Sequence, residues 1–136
     1  MLSILIPVYN INCVSLVKKL HEMALLLKSP FEILLADDAS NERIKNENRV
    51  LNQLDECSIF ELETNYGPAF IRNYLAEKAC YPYLLFLDTD TMPIRDNFLS
   101  LYLSYASKQA VCGGFYYQKT NGSVLRYKYG MQVESQ

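Results

Sequence analysis

The run Leu84-Leu85-Phe86-Leu87-Asp88-Thr89-Asp90-Thr91 joins an apolar strand directly to two carboxylates one residue apart. A strand buried on both faces reads as a continuous apolar stretch, and in open α/β sheets ligands collect just beyond the strands' carboxyl ends. Two acidic side chains placed there repel one another unless a cation or a protonated ligand lies between them. Oxygen donors of this kind suit magnesium or manganese, bound together with a phosphate. Taken alone, the run also fits a strand end capped by a solvated aspartate, with the second aspartate in a turn.

Upstream of this run, strand-like and helix-like segments alternate, which predicts an α/β sheet with parallel neighbours. Residues 3–8 read as a strand stopped by Pro7 and Asn10, and residues 14–27 as a helix with Leu16, Val17, Leu20, Met23, Ala24 and Leu27 at helical spacing. Ser29-Pro30 breaks that helix, and residues 31–36 form a second strand that ends at Asp37-Asp38. A helix opens at Ser40-Asn41-Glu42, and a short strand follows over residues 58–62. Asn65-Tyr66-Gly67-Pro68 launches a helix to about residue 79, with Pro68 suited to its first turn. After the strand at 83–87, Asp96 is positioned to cap a helix carrying Leu99, Leu103 and Ala106. Residues 110–117 and 124–129 flank Asn121-Gly122 as a closing hairpin. The expected fold is thus Rossmann-like: a mainly parallel sheet flanked by helices, with a C-terminal hairpin. No linker divides the chain, so residues 1–136 read as one domain.

Composition narrows the function. Of the 136 residues, 50% are hydrophobic and 21% charged, an ordinary globular balance. A formal net charge of −2 with scattered Lys and Arg gives no basic field for nucleic acid. No apolar run approaches the roughly 20 residues of a spanning helix, and Met1 leads directly into a strand rather than an export leader. Cys13, Cys57, Cys80 and Cys112 show no CxxC spacing and read as reduced core thiols, which argues against zinc and for a cytoplasmic setting. The only histidine, His21, falls within a helical pattern and reads as structural.

Three polar clusters follow strand ends: Pro7-Val8-Tyr9-Asn10, Asp37-Asp38, and Asp88-Thr89-Asp90. A parallel sheet brings all three to one edge. Separately, Asp37-Asp38 reads as turn chemistry near Ser40, Tyr9 as a surface aromatic, and Arg72 as an exposed helical cation. Together they describe a flat stacking surface, a carboxylate able to accept from a base edge, and a metal site. Arg72, one turn into the helix that begins after Gly67, favours a diphosphate or a polar base edge. These are the requirements of a nucleoside diphosphate. Neither G-x-G-x-x-G after the first strand nor a P-loop is present, so a dinucleotide cofactor or ATP cleavage has no support.

In this order the segments LSILIPVYN (2–10), EILLADDAS (32–40), NYGPAFIRNYLAEKA (65–79) and YLLFLDTDTMP (83–93) resemble the family 2 glycosyltransferases of GT-A fold. The last contains the family's D-x-D signature, and VCGGFYY (111–117) resembles its strand beyond the signature. The resemblance implies an inverting sugar transfer from a nucleoside-diphosphate donor, UDP above all, to a glycan or lipid-linked acceptor, as in polysaccharide biosynthesis. A lipid-linked acceptor would place the reaction at the inner face of the membrane. Pro7 and Tyr9 would then line the nucleobase pocket, with Val8, Asn10, Asp37, Gly67 and Thr89 beside them. Asp38 would accept a hydrogen bond from the base, and Arg72 would steady the base or diphosphate. Asp88 would lie against the ribose and diphosphate, and Asp90 would hold a Mn²⁺ or Mg²⁺ ion bridging the phosphates, with Asp88 as a second candidate ligand. Many members carry a further acidic residue after the signature, where this chain has Thr91. Inverting transfer also needs a general base, supplied in this family well beyond the signature. The acidic residues after Asp90 are Asp96 and Glu134, and neither is assigned that role. The chain therefore reads as a donor-binding half, and an acceptor-side edge left apolar would promote homodimers.

Other readings remain open at this level. Asp88-Thr89-Asp90-Thr91 also fits the D-x-D-x-T motif of haloacid-dehalogenase-like phosphatases, with Asp88 as nucleophile. A non-catalytic nucleotide-sugar-binding module would share the pocket without turnover. A nucleotidyltransferase would bring a Gly-rich basic loop, which Ile11-Asn12-Cys13 does not provide.

Overall fold

The central strand of the sheet is LSILIPV, β1 (Leu2–Val8), buried at every position except the half-buried Pro7. The computed structural model of the protein describes residues 1–107 and Gly113, and the hairpin expected over residues 110–129 lies outside this set apart from Gly113. After β1 come α1 (Val14–Leu25), β2 (Phe31–Asp37) and α2 (Glu42–Asn48), which continues as a short 3₁₀ helix over Arg49–Gln53. They are followed by β3 (Cys57–Glu61), α3 (Pro68–Lys78), β4 (Tyr83–Phe86) and α4 (Phe98–Ser104).

Among the described residues the three strand pairs are all parallel, in the order β3-β2-β1-β4. Alternation along the strands sends side chains to two separate cores. Ile4, Ile6 and Val8 of β1 join Ile33 and Leu35 of β2 beneath Val17, Leu20, Met23 and Ala24 of α1 and Leu99 of α4. On the opposite face Leu5, Leu34 and Ala36 meet Ile71 and Leu75 of α3. Strands covered on both faces carry apolar residues at consecutive positions, which is why β1 and β2 read as unbroken runs. Pro7 is tolerated in this central strand for a topological reason. It shares the side of Leu5, whose carbonyl accepts from Leu87, and β4 has ended at Phe86 before Pro7 is reached. Its missing N–H therefore breaks no ladder bond.

The buried hydroxyl of Ser3 donates to Glu32 (2.6 Å) and accepts from the Tyr81 amide (3.2 Å), while Glu32 also accepts from the Cys80 amide (2.6 Å). This network ties the entry to β4 to the amino ends of β1 and β2. His21 has a structural role: its Nε2 lies 2.9 Å from the Asp55 carbonyl, and its ring meets Phe31 edge-on.

Several expected boundaries move. α1 ends at Leu25 rather than 27, and Leu26 beyond it is 82% exposed. β2 extends through Asp37, and β3 begins one residue earlier than the spacing suggests. Asp96 does not cap α4, which Asn97 precedes without any side-chain cap. Instead a turn closed by the Phe98 amide on the Arg95 carbonyl leads into that helix.

Candidate functional site

Because β2 and β3 lie on one side of β1 and β4 on the other, the strand order reverses between β1 and β4. The α/β crossovers diverge at such a point and leave a crevice at the carboxyl ends of the two strands. A cleft of about 460 Å³ opens there. Pro7, Val8 and Tyr9 enter it from the end of β1, and Asp88, Thr89 and Asp90 from the segment after β4. Asp38 contributes from the end of β2, and Gly67 and Arg72 from the start of α3. Ile11, Asn65, Pro68 and Ile71 also line it, and nothing in the sequence marks them as site residues. Ile71 follows helical periodicity as a core residue, and Asn65 reads as loop chemistry.

Two of the expected site residues stand outside the cleft and serve as scaffold. Buried Asp37 accepts the Ser40 amide at 2.7 Å, the turn chemistry open to it from sequence alone. Asn10 adopts φ +53°, and its side-chain oxygen accepts from the Asn41 backbone (2.8 Å) and side chain (3.0 Å). The Asn10 amide in turn donates to the Ser40 hydroxyl at 2.7 Å. Farther along the same loop, buried Asn48 accepts the Cys13 amide and donates to the Ile11 carbonyl, each at 3.0 Å. The loop that carries Tyr9 out of β1 is thus fastened to the α2 region at several points. Tyr9 itself stays 52% exposed, with its ring available for stacking.

Asp38 is buried, and its carboxylate accepts the amides of Tyr66 (2.7 Å) and Gly67 (2.8 Å). A carboxylate offers about four lone-pair sites, so two such bonds leave acceptor capacity. Gly67 sits at φ +86° and ψ 167°, a region that side chains exclude, so a glycine is required where α3 begins. The turn that follows β4 is closed by Thr91, whose amide (3.1 Å) and hydroxyl (2.6 Å) both donate to the Asp88 carbonyl. Thr91 thus shapes the acidic turn through its backbone and hydroxyl. Arg72 donates to the Asp88 carboxylate at 2.5 Å across the cleft, and both side chains are partly exposed. Asp88 and Asp90 are exposed, and Lys19 of α1 holds the following segment by donating to the Pro93 carbonyl at 2.6 Å.

Among the described residues no cysteine lines the cleft, and Cys80 is exposed rather than in the core expected for it. Burial pushes the Cys13 thiol up to about 12 and the Cys57 thiol up to about 11, so both stay protonated near neutrality. Among the described residues, no group of three or more His, Cys, Asp or Glu side chains is gathered to enclose a metal ion. Asp88 and Asp90 fit the alternative, in which one or two carboxylates hold a hard cation that is completed by substrate phosphates.

The model of glycosyl transferase family 2 matches residues 3–134. The chain belongs to this family. A glycosyltransferase of Haemophilus influenzae is 33% identical over 101 residues, an alignment covering 71% of this chain and 39% of that protein. One from Rickettsia conorii is 31% identical over 97 residues, 71% of this chain and 16% of its own length. The chain thus spans well under half of these curated relatives. In structure it is similar to S. aureus TarS 1–349 in complex with UDP-GlcNAc, with TM-score 0.64, 24% identity, and coverage of 78% of this chain and 31% of that one. It is also similar to the mannosyltransferase PcManGT from Pyrobaculum calidifontis in complex with GDP-Man and Mn²⁺, with TM-score 0.64, 18% identity, and coverage of 81% and 33%. The fold is that of the GT-A glycosyltransferases. Family membership displaces the phosphatase reading of Asp88-Thr89-Asp90-Thr91. Among the described residues, no helix is long and apolar enough to cross a membrane.

Proposed function

We propose that residues 1–136 form the donor-binding domain of a glycosyltransferase that takes its sugar from a nucleoside diphosphate, with UDP as the preferred carrier, and delivers it with inversion to a glycan or lipid-linked acceptor. The observation that carries this reading is the convergence of Tyr9, Asp38, Arg72, Asp88 and Asp90 on one cleft at the reversal of strand order. Each residue meets a different part of such a donor. Tyr9 offers an exposed ring to the face of the base. Asp38, held by the Tyr66 and Gly67 amides, accepts an N–H from the base edge with its remaining lone pairs. Arg72 supplies a fixed cation to the diphosphate, for which a guanidinium is well matched.

Asp88 and Asp90 would hold a Mn²⁺ or Mg²⁺ ion at the phosphates. That ion would act as a Lewis acid toward the departing diphosphate and orient it. The binding of that ion by only one or two carboxylates makes its retention depend on the nucleotide. Titration calorimetry with UDP and with GDP, each in Mn²⁺ and in EDTA, tests the reading. UDP is expected to bind at least tenfold more tightly with Mn²⁺ than in EDTA, an increment of about 1.4 kcal/mol. Equal binding in EDTA would overturn the metal assignment, and tighter binding of GDP would overturn the choice of base.

A further inference from the structure

We infer that Arg72 acts as a counter-ion lock on Asp88, so that the protein takes up its divalent cation only together with the nucleotide diphosphate. The inference rests on the donor-binding reading above and concerns how that site is controlled. Arg72 and Asp88 stand on different elements, α3 and the turn after β4, yet their side chains meet within the cleft. The Asp88 backbone is pinned by Thr91, which donates to its carbonyl through both amide and hydroxyl. A change of partner therefore needs only rotation of the Asp88 carboxylate or withdrawal of the Arg72 fork, with the main chain left in place.

A metal ion seated on that carboxylate would stand a few ångströms from a guanidinium, and the two cations repel. The guanidinium already provides the charge compensation that the carboxylate otherwise seeks from a metal. A diphosphate changes the balance because it brings several negative charges and a geometry that Arg72 can grip bidentately. Once Arg72 turns to the phosphates, Asp88 is released to the cation beside Asp90. Because coupling between two ligands is reciprocal, the cation then tightens the nucleotide by the same factor. The pair keeps a strong metal site from forming in the empty cleft and reserves it for the complete donor.

The test is a Mn²⁺ titration followed by the paramagnetic resonance of free Mn²⁺, on the wild type, Arg72→Met and Arg72→Lys, with and without UDP. Thermal melts of each variant check that the fold is retained. Without UDP, Arg72→Met is expected to bind Mn²⁺ roughly tenfold more tightly than the wild type, while the gain on adding UDP shrinks by a similar factor. Arg72→Lys, which keeps the charge and loses the fork, is expected to fall between the two. In the wild type, with Mg²⁺ as the diamagnetic cation, the Arg72 side-chain Nε–H resonance is expected to move on adding UDP and to stay in place with Mg²⁺ alone. If wild-type Mn²⁺ binding rises with UDP but Arg72→Met binds Mn²⁺ no more tightly than the wild type in its absence, the lock is overturned and the donor site stands. If no protein binds Mn²⁺ even with UDP present, the metal assignment falls and the lock falls with it, while UDP titration of the wild type decides the donor reading separately.

Discussion

Asn48 shows how a residue far from any ligand can determine where a ligand residue sits. It is buried, and its amide meets both a donor and an acceptor on the backbone of the loop after β1, the Cys13 amide and the Ile11 carbonyl. Asn48→Ala removes both partners, leaving the buried Cys13 amide unsatisfied while the carbonyl of the exposed Ile11 can turn to water. An unsatisfied buried polar group costs about 1–3 kcal/mol. The variant is therefore expected to lose about 1–3 kcal/mol in urea denaturation, with an unchanged slope against denaturant. It should also weaken UDP binding, because the loop that presents Tyr9 and Ile11 to the cleft loosens. Asp38 shares this dual character. The carboxylate proposed to read the base is also the group that seats the Tyr66 and Gly67 amides at the start of α3. Its position at a strand end is legible in the sequence, but this attachment is not, because the partners lie 28 and 29 residues away.

Elements with one strong period are legible in the sequence itself. Continuous apolar runs revealed β1 and β2, helical spacing revealed α1, and Gly67-Pro68 marked the start of α3. Their alternation indicated a parallel sheet, and a parallel sheet places the three polar strand ends on one edge. The strand order was not legible, since pairing of β4 with β1 depends on contacts about 80 residues apart. For the same reason, patterning could not separate Asp38, which enters the cleft, from its neighbour Asp37, which turns to Ser40. The tether from Lys19 to the Pro93 carbonyl bridges 74 residues and carries no local signal. It makes α1 the anchor of the segment that follows the acidic turn. A charge-assisted hydrogen bond of this kind contributes about 1.5–3 kcal/mol. Lys19→Met keeps the apolar stem and removes the donor. Amide exchange across residues 89–97 is expected to speed up about tenfold, with β1 and β2 unaffected. If protection in that segment does not change, the tether has no positioning role.

For the molecule as a whole, Val8 and Ile71 serve both a core and the cleft, but the acidic turn after β4 shares no side chain with either core. The sheet is held by the two cores above and below it, whereas Asp88 and Asp90 of the cleft project from the turn after β4 into solvent. Substitutions at the two places should therefore separate cleanly. Ile6 is fully buried in β1, and Ile6→Ala removes packing that a rigid sheet cannot refill, at about 2–5 kcal/mol. Asp90 is exposed, and exposed substitutions ordinarily shift stability by no more than about 0.5 kcal/mol. Asp90→Ala is thus expected to melt within a degree or two of the wild type while losing the Mn²⁺-dependent part of UDP binding. Ile6→Ala should show the reverse: a lowered melting temperature, with the metal dependence of binding retained at temperatures where it stays folded. Differential scanning calorimetry and UDP titration on the same three samples check both halves. A collapsed melt for Asp90→Ala would make the acidic turn part of the scaffold. Retained Mn²⁺ dependence in that variant would move the cation off Asp90 and leave Asp88, behind its arginine, as the remaining carboxylate of the signature to hold it.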